Sequence, residues 1–109
     1  MISIKTSREL KQAGLIWDPR YYDLMFDIYG NKSIIYWEQH WESLDLLKNN
    51  NVWRPRLDQA LNQIKLQGYE WELLQNTCTI KKEGIHREFN DNDYEEAVGK
   101  ALLWILNNK

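Results

Sequence analysis

The chain has 109 residues, 43% of them apolar and 28% charged, with a formal net charge of −2. That is the size and mixture of one globular domain, long enough to bury a core without a metal or disulfides. Acids and bases are spread evenly and neither half is basic. This argues against nucleic acid as a partner, because phosphate binding concentrates lysine and arginine on one face.

The one cysteine, Cys78, excludes an intrachain disulfide, and the opening residues Met1 to Lys5 lack the apolar stretch of a secretory signal. No apolar run reaches the roughly 20 residues that span a bilayer. A reducing cytoplasm, with no membrane, is the expected setting. Six tryptophans and six tyrosines stand out, since aromatics on this scale fill compact cores and are also what interfaces favour.

In chain order, Thr6 or Ser7 is suited to cap a short helix over 7–13, with Gly14 as its stop. Residues 15–20 read as a loop, because Pro19 restricts both itself and Asp18, and Trp17 is expected in the core. Two β-like runs follow, 23–29 and 32–37, joined by Gly30-Asn31 as a two-residue hairpin turn. That register sets Phe26 opposite Ile35 and Leu24 opposite Trp37, with Met25, Ile34 and Tyr36 on the other face. Both faces are partly apolar, which calls for a covering layer or a partner. Within 38–51, Trp41, Leu44, Leu46 and Leu47 allow a short helix that ends at Asn49-Asn50-Asn51.

Pro55 suits the first turn of a helix over 55–67, and Leu57, Ala60, Leu61 and Ile64 form its apolar face, with Gly68 closing it. The period then switches to two. With turns at Gln75-Asn76 and Glu83-Gly84, Leu73 faces Cys78, Trp71 faces Ile80, and Ile85 and Phe89 join the same apolar face with Arg87 between them. Asn92 and Glu95 suit a capping box for a last helix over 92–107, whose stripe is Ala97, Val98, Ala101, Leu102 and Ile105. Leu103, Trp104 and Leu106 widen that stripe, so either the N-terminal segment or another subunit covers it.

The expected architecture is α+β in one domain. An N-terminal helix and hairpin segment (1–52) precedes an α-β-β-β-α core (53–109), in which helices 55–67 and 92–107 pack on one face of an antiparallel meander. The other face, with Glu70, Glu72, Thr77, Thr79, Lys81, His86 and Glu88, is expected to be polar. The first hairpin either extends this sheet or forms a second one.

No P-loop, dinucleotide fingerprint, nucleophile elbow or paired metal-binding cysteines occur, which argues against an enzyme and gives no catalytic residues and no cofactor. Cys78 faces the core while His86 faces the other side of the same hairpin, so packing explains the cysteine better than nucleophilic catalysis. Glu38, His40 and Glu42 would share one side of a strand, but a solvated edge explains them and no metal site is assigned. The acidic turn 88–93 lacks the calcium-loop pattern and is read as a helix cap. Glu70 and Glu72 have a spacing common on solvated strands. The most suggestive cluster is Trp53, Arg54 and Arg56, at a helix start where free N–H groups and the dipole favour an anion. The plain reading of that cluster is that Trp53 staples the helix and the arginines pair with acids such as Asp58.

The segments Thr6 to Leu15, Trp53 to Gln59, Gly68 to Trp71 and Glu96 to Leu103 resemble small uncharacterised proteins encoded in prophages and mobile elements of Gram-positive bacteria. The C-terminal half is similar in outline to the phage α-β-α sandwich domain. The resemblance implies an accessory role and supplies no catalytic residues. The expected function is therefore a non-enzymatic accessory protein that binds another protein or itself, with Met25, Ile34, Tyr36, Leu103, Trp104 and Leu106 as interface candidates. The alternative is a phosphate or nucleotide binder or hydrolase centred on Trp53, Arg54 and Arg56.

Overall fold

The computed structural model describes residues 1–20, 22–27, 29–35, 48–49 and 51–109. Tyr36 and Trp37 of the expected second strand lie outside these residues, as do 38–47 and Asn50 of the expected helix and the Glu38, His40 and Glu42 triplet. The elements are α1 (Ile4–Gln12), β1 (Leu24–Phe26), β2 (Lys32–Ile34), β3 (Val52–Trp53), α2 (Leu57–Leu66), β4 (Glu70–Leu74), β5 (Thr77–Lys82), β6 (Ile85–Asn90) and α3 (Tyr94–Asn107). The fold is α+β, with two antiparallel three-stranded sheets ordered β2-β1-β3 and β4-β5-β6.

The C-terminal sheet has the expected register. Trp71 pairs with Ile80, Leu73 with Cys78, Cys78 with Phe89 and Ile80 with Arg87, so the two turns put one apolar row under α2 and α3. Cys78 and Ile80 are fully buried, and burial pushes the Cys78 thiol up to about 11, which keeps it protonated and inert at neutral pH. On the opposite face Glu70, Glu72, Lys81, His86 and Glu88 are exposed. Chain entry into this sheet is set by the end of α2. Gly68, at φ +87°, donates its N–H to the Lys65 carbonyl, and the Tyr69 N–H reaches back to Ile64. The left-handed turn seats buried Tyr69 against buried Ile64.

Both C-terminal helices start one or two residues later than the sequence suggests. Pro55 precedes the cap of α2, which is Arg56, its N–H bonded to Gln59 Oε1 at 2.9 Å. Asp93, not Asn92, caps α3 by accepting from the Glu95 N–H at 2.9 Å. In α1 the shift runs the other way. Ser3 is the cap, its Oγ accepting from the Thr6 N–H, so the helix begins at Ile4 rather than Ser7.

The earlier start has a tertiary cause. Glu96 on α3 accepts from the Ser3 N–H at 2.7 Å, from the Ser3 hydroxyl and from the Thr6 hydroxyl, which fixes the first turn of α1 on the start of α3. Ile2 and Leu10 then join Ala97, Val98, Ala101, Leu102, Ile105 and Leu106 in the main core. The N-terminal segment is thus part of what covers the wide apolar stripe of α3.

The first hairpin departs from its expected register. Phe26 pairs with Lys32, Met25 with Ser33 and Leu24 with Ile34, a shift of three residues from the pairing that a two-residue turn dictates. The cause is Asp27. Its carboxylate accepts from the N–H groups of Tyr29 and Asn31, both at 2.9 Å, and its own N–H donates to the Asn31 carbonyl, which stabilises a longer loop. A shift by an odd number exchanges the faces, so Met25 turns inward, to a second buried cluster with Trp17, Ile35 and Trp53. The strand β3 was not anticipated. It pairs Trp53 with Met25 and Val52 with Phe26, making the hairpin part of its own sheet.

Gly99 marks where α1 crosses α3. A Cβ there would lie 3.1 Å from Thr6 Cγ2 and 3.3 Å from Ile2 Cγ1. Glycine costs about 1 kcal/mol inside a helix, and here it permits the close approach. Gly99→Leu is expected to destabilise the fold by about 1–3 kcal/mol through overpacking, read as a lower urea midpoint with an unchanged slope.

Candidate functional site

Asp23 has almost no exposed surface, and its carboxylate is surrounded by donors. Oδ2 accepts from the Trp17 indole Nε1 and from the Arg20 N–H, each at 2.9 Å, while Oδ1 accepts from Gln59 Nε2 at 2.7 Å. The Arg56 guanidinium lies 3.9 Å from Oδ1 and supplies the opposing charge. The aspartate thereby ties the 17–20 loop, the entry to β1 and the start of α2 to one point.

That network accounts for the arginines. Arg56 also donates to the Tyr22 carbonyl at 3.0 Å and sits 3.5 Å from Asp58. The helix start does hold a carboxylate, and it belongs to the chain itself. Arg54 donates its N–H to the Leu24 carbonyl, extending the ladder past β3, and its guanidinium lies over the Phe26 ring. Burial lowers the Arg54 pKa, with Glu95 acting in the opposite direction.

Trp53 has a different setting from the two arginines. Its ring lies parallel to that of Trp17, within 6° and with centroids 6.4 Å apart. Among the described residues the pair lines a cavity of about 220 Å³ with Leu15, Ile16, Ser7, Lys11, Lys48 and Asn51. Neither Arg54 nor Arg56 lines it. Ser7 Oγ and Trp53 Nε1, on two of these residues, have no accessible surface and no hydrogen-bond partner. The Lys11 ammonium donates to the carbonyls of Lys48 at 2.7 Å and Asn51 at 3.1 Å. Among the described residues no carboxylate pairs with it.

The interface candidates are placed as follows. Met25 and Leu106 are buried inside the chain, and Ile34 is half-buried in β2. Leu103 and Trp104 are half-buried against the main core. Trp104 is flanked within the chain, with the Arg87 guanidinium 5.1 Å from its ring centroid and the Phe89 ring at 6.4 Å. Tyr36 lies outside the described residues. Large exposed apolar side chains are found on the loops at Ile16 and Tyr29, at Leu66 on α2, and on β4, where Trp71 is 42% and Leu74 70% exposed. Because β4 is an edge strand, its outer side has no neighbouring strand among the described residues.

Among the described residues no three His, Cys, Asp or Glu side chains are placed to hold a metal ion, and no helix is long and apolar enough to cross a membrane. The residues that sequence reasoning passed over are Ser7, Lys11 and Asp23. Ser7 precedes the core residue Leu10 by one helical turn, and a polar residue on an apolar stripe is the signal that was available.

Asp23→Ala removes the acceptor of three hydrogen bonds and leaves the buried Trp17 indole N–H unsatisfied, while Arg56 keeps Asp58. A loss of about 1–3 kcal/mol is expected, measured by urea unfolding. Ser7→Ala removes a buried hydroxyl that has no partner and adds a better helix former. It is expected to leave stability unchanged or raise it by up to about 1 kcal/mol, read as an equal or higher thermal midpoint.

Comparison with protein-family models, with curated proteins and with solved structures finds no match.

Proposed function

We propose that the protein is a non-enzymatic accessory protein of the cytoplasm that works through protein contact, and that the contact is self-association along the edge of β4. One observation carries this reading: an edge strand of five residues presents Trp71 and Leu74 to solvent. Open strand edges are templates for a further strand, since their N–H and C=O groups align with those of an incoming chain. The other edge, β6, leaves only polar and charged side chains exposed, while Ile85 and Phe89 turn toward the core.

The sequence of β4 favours a second copy over an unrelated strand. In a two-fold antiparallel pairing centred on Leu73, that leucine meets its own counterpart and Glu72 meets Leu74. No acid then faces an acid directly. Trp71 and Leu73 line one face of the resulting six-stranded sheet, continuous with the apolar row of β5. The chain's single cysteine and the resemblance of four of its segments to prophage-encoded proteins motivate the cytoplasmic accessory setting.

Light scattering coupled to size exclusion tests the reading. The chain is expected to run as a dimer at high concentration, and Leu74→Lys with Trp71→Lys is expected to return it to a monomer with unchanged circular dichroism. A wild-type chain that stays monomeric at its highest soluble concentration overturns self-association.

A further inference from the structure

We infer that Glu72 controls the pairing of β4 with a second copy: it selects the register in which the two strands meet and makes their association strengthen as ionic strength rises. The inference rests on the self-association along β4 and specifies how that contact is regulated.

The backbone of the meander fixes which groups of β4 a second copy can reach. In an antiparallel ladder, hydrogen-bonded and non-bonded pairs alternate, and the residues flanking a two-residue turn bond to each other. Leu74 and Thr77 flank the Gln75-Asn76 turn. The Asp91 N–H donates to the Asn76 carbonyl at 3.1 Å, so Asn76 turns toward β6 and Thr77, the next residue, toward β4. By alternation Glu70, Glu72 and Leu74 give their backbone groups to β5. The outward N–H and C=O groups of β4 are those of Trp71 and Leu73, and among the described residues no strand pairs with them.

A two-fold axis across this edge can pass through Trp71, Glu72 or Leu73. Centred on Glu72, the pairing sets that carboxylate opposite its own copy, in a non-bonded pair whose Cα atoms are only about 4.5 Å apart. Centred on Trp71, it sets Glu72 opposite the Glu70 of the second copy, twice over by symmetry. Like charges directly opposite are destabilising. The Leu73-centred pairing avoids both, because Leu73 exchanges backbone bonds with its copy and Glu72 faces Leu74.

The selected register still carries a charge cost. Glu72 lies diagonal to its own copy across the seam, about 7–8 Å away. On this open face the nearest cation is Lys81 of β5, which stands opposite Glu70 and 4.0 Å from Glu72, so one exposed lysine serves two acids. Thr79 is directly opposite Glu72, and beyond it Glu88 of β6 adds a further negative charge beside His86. The helices α2 and α3 pack on the other face. The two Glu72 charges are about one Debye length apart at about 0.15 M salt, so added salt screens their repulsion.

Sedimentation equilibrium of the full chain and of Glu72→Gln, at about 0.02 M and about 0.5 M sodium chloride, tests the inference. The wild-type dimer is expected to tighten several-fold at the higher salt. Glu72→Gln is expected to dimerise several-fold more tightly than wild type at the lower salt and to lose most of the salt dependence, with unchanged circular dichroism. Salt also strengthens apolar burial, but equally in both proteins, so their difference isolates the carboxylate. A Glu72→Gln dimer no tighter than wild type at low salt, or one with the wild-type salt response, overturns the inference and leaves the β4 pairing standing. Absence of a dimer in both proteins at both salts overturns the β4 pairing itself, and the inference with it.

Discussion

The buried carboxylate of Asp23 is the contact on which the N-terminal half is built. A charge removed from water is tolerated only when donors replace its hydration, and here an indole, a backbone N–H and a side-chain amide do so, with a guanidinium nearby. Each donor comes from a different place: Trp17 and Arg20 from a loop without regular structure, Gln59 and Arg56 from the start of α2. The same point forces Tyr22 into a left-handed backbone conformation, at φ +66°. A bulky residue pays roughly 1–2 kcal/mol there. The strain is offset by the bonds Tyr22 makes, its N–H to the Ile35 carbonyl and its carbonyl to Arg56.

How much of this was legible depended on the range of the interactions. The meander β4-β5-β6 is written locally: period-two alternation sets the faces and two short turns set the register. Trp71, Leu73, Cys78, Ile80 and Phe89 therefore fell into place from the sequence. The first hairpin looked equally simple because Gly30-Asn31 is a good turn pair. What decided it was Asp27, whose side chain bonds two backbone N–H groups and widens the loop. The strand β3 was illegible because two residues show no period, and its partner β1 lies more than twenty positions earlier.

The same distinction governs the candidate site. Trp53, Arg54 and Arg56 drew attention as neighbours in sequence, yet the fold sends them to three environments: an indole stack, a phenyl face and a carboxylate network. Ser7 and Lys11 carry no motif at all. They come to line one cavity with Trp53 only because α1 lies beside β3, a contact that joins residues some forty positions apart. A charged pair at a helix start can be guessed from spacing, whereas an unpaired donor is visible only once its surroundings are known.

Helix α1 is where the two halves of the structure meet. Ile2, just before it, and Leu10 within it pack into the main core with α3, while Ser7 and Lys11 line the cavity beside β3. The first turn of α1 is held by Glu96, and Ser7 in the same helix has a buried hydroxyl without a hydrogen-bond partner. Ser7 Oγ is itself closed off from the cavity, so the hydroxyl belongs to the packed side of the helix with Leu10. Core packing and the cavity wall are thus carried by one element of nine residues. The contrast with Asp23 sharpens the point. Within one small cluster of indoles, the Trp17 N–H has an ideal acceptor and the Trp53 N–H has none. Burial alone leaves both equally dry, so the difference lies in whether the chain itself supplies the acceptor.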